Sequence, residues 1–285
     1  MRVSLSVTDY SWPSGPAQLA DELARIARVA DTVGLESLWL TDHLIQAAPG
    51  SDPDSAMLEA YTALGYLAGQ TGRIGLGAMV TPVTYREPAV LIKAVSTLDI
   101  LSGGRAWLGI GAGYQRDEAA AMGVPLPPAS ERFERLEDVL RLADQMWSGD
   151  QSPFAGVHYR LARPINNPMP LRRPPILIGG MGEQKTLRLV AQYADACNLF
   201  DIPDGGRTVR HKLDVLARHC NDVGRPFSDI SKTLSTRLEG NESAQSFARR
   251  CAAFAALGFD HAVVIVDGPW TVDRVSILGE AAALT

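Results

Sequence analysis

Cysteine is scarce: three residues, at 197, 220 and 251, form no paired spacing and no zinc pattern. That excludes a disulfide-stapled scaffold and suits a reducing compartment, so a cytoplasmic protein is expected. No apolar run approaches the roughly 18 residues of a membrane-spanning helix. The first eight residues hold one arginine and no long apolar stretch, so no leader is expected either. An excess of positive charge is also missing. Against 27 Lys and Arg stand 32 Asp and Glu, a formal charge of −5. Such a surface gives no electrostatic case for nucleic acid or anionic lipid. The five histidines form neither HxxxH nor HExxH, so no metal site is expected. Neither a Gly-x-Ser-x-Gly elbow nor a Gly-Lys-Ser/Thr phosphate loop occurs.

What the chain does have is apolar residues, 46% of the total, arranged with a rhythm. Residues 3–7 alternate with period two and predict a strand. A helix follows, with Leu19, Leu23, Ile26, Val29 and Val33 on one stripe, and Gly34 as its stop. The same pair recurs. Strands are expected at 35–40, 74–80, 105–110, 175–178, 196–200, 230–236 and 261–266. Helices are expected at 57–70, 88–101, 131–147, 183–193, 209–223, 244–257 and 272–283. Length alone, at roughly 150 residues per domain, leans to two domains. Eight strand–helix units instead predict parallel pairing and one α/β domain over 1–285, a closed (β/α)8 TIM barrel.

Residues 151–175 break the rhythm. They carry Pro153, Pro164, Pro168, Pro170, Pro174 and Pro175, too many for a helix, and Arg160, Arg163, Arg172 and Arg173 without an acid. This predicts an insertion between the fourth helix and the fifth strand, lying over one barrel end. A plain solvated loop and an anion-facing lid both fit, and the unbalanced arginines tilt towards the lid.

A barrel of this kind places its active site at the carboxyl ends of its strands. There the sequence offers Thr41-Asp42-His43, Met79-Val80-Thr81-Pro82, Gly111-Ala112-Gly113-Tyr114 with Asp117 beyond, and Gly179-Gly180-Met181-Gly182. His43 is the leading catalytic candidate, because an imidazole exchanges protons near neutral pH. Tyr114 is the second, as a hydrogen-bond donor or an aromatic wall. The glycines before Tyr114 fit two readings: tight backbone packing, or room for a flat ring. The 179–182 loop opens a helix and so suits a phosphate. Cys197 reads as a buried apolar residue. Asp42, Asp117, Asp201 and Asp267 are sparse and suggest no glycosidase pair. A mouth short of nucleophiles suits chemistry done by a bound cofactor.

Four stretches carry a resemblance: 34–44 (GLESLWLTDHL), 74–114 (IGLGAMVTPVTYREPAVLIKAVSTLDILSGGRAWLGIGAGY), 132–148 (RFERLEDVLRLADQMWS) and 175–199 (PILIGGMGEQKTLRLVAQYADACNL). Together they resemble the luciferase-like monooxygenase superfamily, in particular its coenzyme F420-dependent oxidoreductase branch. The resemblance implies a barrel with an insertion, hydride transfer between F420 and a small organic substrate, and a homodimer. It implies that Asp42 and His43 face the deazaflavin ring. It places a strand-three bulge, often with a non-proline cis peptide, at Ala78 and Met79. Thr81, Gly111, Ala112, Gly113 and Asp117 would add cofactor contacts, and Gly179, Gly180, Met181 and Gly182 would meet its phosphate end. Two positions depart from the family's sugar-phosphate dehydrogenase. Ala47 replaces a tryptophan and Tyr114 replaces a catalytic glutamate, so that reaction is not carried over. An FMN-dependent two-component monooxygenase, a non-catalytic flavin or deazaflavin carrier and a phosphate-binding barrel isomerase are the alternatives.

Overall fold

The computed structural model describes residues 1–47 and 51–285. Its strands are β1 (Arg2–Val7), β2 (Ser37–Leu40), β3 (Gly75–Ala78), β4 (Thr81–Pro82), β5 (Ala106–Gly111), β6 (Phe154–Ala155), β7 (Arg160–Leu161), β8 (Ile176–Gly179), β9 (Ala196–Phe200), β10 (Ser231–Arg237) and β11 (His261–Ile265). Its α-helices are α1 (Leu19–Thr32), α2 (Ala60–Ala68), α3 (Pro88–Ser102), α4 (Arg116–Met122), α5 (Ala129–Ser148), α6 (Thr186–Tyr193), α7 (Arg207–Val223), α8 (Ala244–Ala256) and α9 (Val272–Ala283).

Eight strands run parallel in the order β3-β2-β1-β11-β10-β9-β8-β5, and pairing of β3 with β5 closes the ring. This is the (β/α)8 barrel that the alternating pattern predicts. β4 continues the chain past the end of β3 and pairs with β5, Thr81 opposite Ile110. The β9 and α9 boundaries match the expected ones. Elsewhere ends shift by a few residues, as frayed termini do. Helix α4 was not foreseen. Its seven residues, RDEAAAM, are too few to show a periodic apolar stripe.

Side-chain alternation along each strand divides the core in two. Outward residues such as Leu5, Leu38, Leu76, Leu108 and Ile178 pack under the helices. Inward residues form a smaller cluster of Trp39, Leu177, Ala196 and Val263, with Met79, Val80 and Trp107 against it. Trp39 and Trp107 meet edge to face at 5.6 Å. Glycine on the adjoining strands makes room for them. A Cβ on Gly77 would sit 2.6 Å from the Trp39 ring, and one on Gly109 would sit 1.9 Å from the Ala78 carbonyl oxygen. Below the indoles, the Ser4 hydroxyl bonds Ser37 at 2.7 Å and His261 Nε2 at 2.6 Å. The amino end of the barrel is therefore plugged.

Residues 151–175 do not lie over the mouth. After α5 the chain forms a small antiparallel pair, β6 with β7, against the outer flank of α5. Backbone N–H groups of Val157 and His158 donate to the buried Asp138 carboxylate of α5 at 3.1 and 2.8 Å. The segment then crosses the end of α3, where the Leu171 N–H donates to Asp99. None of its four arginines lines the cavity at the mouth. Arg173 is held by Asp144 and Asp195, and Arg163 by Gln151. The lid expectation is corrected: acids supplied by other parts of the chain anchor this segment to the flank.

Candidate active site

At the carboxyl end the strands open into a cavity of about 890 Å³. Its floor is Met79 and Val80, joined by a cis peptide bond. The Val80 side chain lies between two glycines. A Cβ on Gly179 would come within 2.9 Å of Val80 Cγ1, and one on Gly111 within 3.0 Å of Val80 Cγ2. These glycines thus seat a branched apolar side chain, which forms an apolar platform at the cavity floor. The cis bond lies one residue beyond the expected Ala78–Met79 position. Ala78 itself is buried on the outer face, away from the cavity.

His43 lines the cavity beside this platform. Its Nδ1 lies 2.7 Å from Glu118 Oε2, and Glu118 Oε1 accepts the Leu44 N–H at 2.5 Å. Burial alone would raise the Glu118 carboxyl. Hydrogen bonds from His43, the Tyr85 hydroxyl and Leu44 outweigh it and hold the group below the usual carboxylate range. The sequence reading chose the wrong neighbour. Asp117 is exposed, whereas Glu118 is buried and turned inward. The choice depends on the phase of α4, which composition did not reveal.

Asp42 is also corrected. It follows the outward-facing Leu38 and Leu40, so alternation turns it away from the cavity. Arg86 binds both of its oxygens, at 2.5 and 3.0 Å, and the Thr81 hydroxyl donates to it at 2.7 Å. Arg86 also pairs with Glu59 and lies 4.7 Å above the Tyr61 ring. Asp42 and Thr81 lie outside the cavity lining and brace its wall from behind. Thr41, one residue earlier, is the inward one, and among the described residues its hydroxyl has no partner.

Ala47, Gly111, Ala112, Gly113, Gly179 and Gly180 all line the cavity. Gly113, at φ 76°, turns the chain outward after β5. Tyr114 consequently stands at the lip, 70% exposed, as a wall with no hydrogen-bond partner and not as an enclosed acid. Met181 and Gly182 lie outside the lining. Thr186, the first residue of α6, takes their place.

The wall from β9 to β11 was missed. Asn198 donates to Ser235 and accepts from Thr233, both at 2.8 Å. Arg237 pairs with Asp267, and Arg250 with Asp201 and Glu242. Inward alternation on β10 would have flagged Ser235 and Arg237. Arg250 comes from α8, and no local signal marks it. Cys197 is buried and its thiol is pushed up to about 12 by that burial, so it stays protonated.

The family model described as luciferase-like monooxygenase matches residues 1–278. An F420-dependent glucose-6-phosphate dehydrogenase of Kineococcus radiotolerans is 38% identical over 234 residues. The match covers 80% of this chain but only 65% of that enzyme. A solved F420-dependent secondary alcohol dehydrogenase, in complex with an F420-acetone adduct, superposes with a TM-score of 0.83 at 15% identity, covering 100% of this chain and 99% of that one. A coenzyme F420-dependent tetrahydromethanopterin reductase from Methanopyrus kandleri superposes with a TM-score of 0.80 at 15% identity, covering 98% of each chain. At that identity the two structures establish the fold.

Proposed function

This chain belongs to the luciferase-like monooxygenase family, and we propose that it is an oxidoreductase that moves a hydride between coenzyme F420 and a small organic substrate. The observation that carries the reading is the mouth itself: an apolar Met79–Val80 platform between glycine backbones, with the His43 ring beside it. Its relatives' names supply the choice of cofactor.

The residues present fit such a group. Met79 and Val80 would back one face of a planar ring and keep water from it. Among the described residues the buried Thr41 hydroxyl has no partner, which a ring heteroatom would supply. Gly180 and Thr186, at the start of α6, would hold the phosphate end, where N–H groups and the helix dipole favour an anion. When bound, F420 supplies a ring carbon that accepts or returns a hydride. Oxidation of an alcohol releases two electrons with that hydride and one proton from the hydroxyl. His43 is placed to take the proton, or to give it back in the reverse direction. A substrate other than a sugar phosphate is the reading that Ala47 and Tyr114 favour, because they depart from the tryptophan and glutamate that the family resemblance implies for that reaction.

Parallel fluorescence titrations with F420 and FMN test the assignment. Saturable binding of F420 without FMN is the expected result. Binding of FMN alone would move the protein to a two-component monooxygenase, and binding of neither would overturn the redox reading. Exposed Val90 and Leu101 on α3 line one shallow groove with Gly65 of α2, which we assign to a homodimer contact. Light scattering on the same samples should give the mass of two chains; a single-chain mass refutes the dimer.

A further inference from the structure

We propose that Glu118 is a positioning residue, which locks His43 in the tautomer protonated at Nδ1 and leaves Nε2 as a proton acceptor facing the cavity.

The Glu118 side chain is 1% exposed, and among the described residues its one ion-pairing partner is His43. An ionised carboxylate has only lone pairs to offer, so every contact must bring a hydrogen. Leu44 brings a backbone N–H at 2.5 Å, Ile45 a longer one at 3.4 Å, and Tyr85 its hydroxyl. The fourth contact is His43 Nδ1 at 2.7 Å. If Nδ1 carried a lone pair, two acceptors would face each other where burial closes Glu118 off from solvent, at the cost of an unmade buried bond. The proton therefore sits on Nδ1. An imidazole free in water favours the opposite form, with the proton on Nε2. Glu118 reverses that preference and points the basic nitrogen at the substrate space, as partners of functional imidazoles do elsewhere. The value of that arrangement, a base waiting for a hydroxyl proton, rests on the oxidoreductase reading; the tautomer itself does not.

Glu118→Gln separates positioning from mere support. The Gln carbonyl keeps the Leu44 N–H, so the loop retains its anchor. The amide then faces Nδ1 with hydrogens, and Nδ1 must accept. Ring-nitrogen NMR of 15N-labelled protein without cofactor, at a pH where the ring is neutral, reads the outcome. Wild type should show Nδ1 protonated, and Glu118→Gln should exchange the two nitrogen shifts. Wild type with the proton on Nε2, or the same tautomer in both proteins, overturns the proposal. The wild-type spectrum decides even if the variant does not fold. A failed F420 titration would remove the functional reading and leave this result standing.

Discussion

The two ends of the barrel use the same residue types for opposite purposes. At the amino end His261 is 3% exposed and bonds a serine hydroxyl under two tryptophans. At the carboxyl end His43 lines an open cavity and leans on a buried carboxylate. Burial, reinforced by the nearby charge of Arg2, pushes the His261 imidazole down to about 3, so it stays neutral. The glycines divide in the same way. Gly77 and Gly109 yield space to indoles and backbone, closing the barrel. Gly111 and Gly179 yield space to Val80, building a platform under the opening. A glycine or a histidine thus acquires its role from its height in the barrel, because height sets access to water.

The comparison breaks most visibly at His43. His43→Ala should lower turnover by roughly 10²–10⁴-fold, the usual worth of a positioned acid–base group, while F420 affinity stays near wild type and stability falls by only about 1–3 kcal/mol for the lost Glu118 bond. Equal loss of stability and turnover would make His43 structural, like its counterpart below.

Gly109→Ala should do the reverse. The new methyl group meets the Ala78 carbonyl in a packed wall, so destabilisation of about 3 kcal/mol is expected in urea unfolding, at the upper end for overpacking. Wild-type stability in that variant would show that the wall is loosely packed.

The smallest effect concerns pH. His261 has a depressed folded value of about 3 against 6.5 for the free group. Below 6.5 the unfolded chain binds a proton that the folded chain refuses. Stability is therefore complete above 6.5 and falls with acid towards 3, by about 1.4 kcal/mol per pH unit. Between pH 7 and 5 the loss is about 2 kcal/mol. His261→Gln should shrink that difference by the same amount, as read by denaturant unfolding at both values. An unchanged slope would mean that the amino end admits water.

How much of this was legible depended on how local the signal was. Strand–helix alternation is a local property, and it led to the barrel, to its carboxyl end and to His43. Asp42 misled because its place next to His43 concealed that strand neighbours face opposite sides. Asp117 misled because its helix is too short to announce a phase. The basic run of 151–175 misled because the acids that anchor it, Asp138 and Asp99 on its backbone and Asp144 and Asp195 on Arg173, lie elsewhere in the chain. Arg86 and Arg250 were silent for the same reason.

By itself the sequence determined the repeating unit, the handed parallel closure it implies and the glycine-rich rim, since periodicity and backbone freedom act over a few residues. Only the tertiary structure decided which acid stands behind the imidazole, which residue fills the glycine gap, and that the basic segment hugs the flank. Those are pairings between distant parts of the chain, and the energy that selects them exists only once burial has removed the water between them.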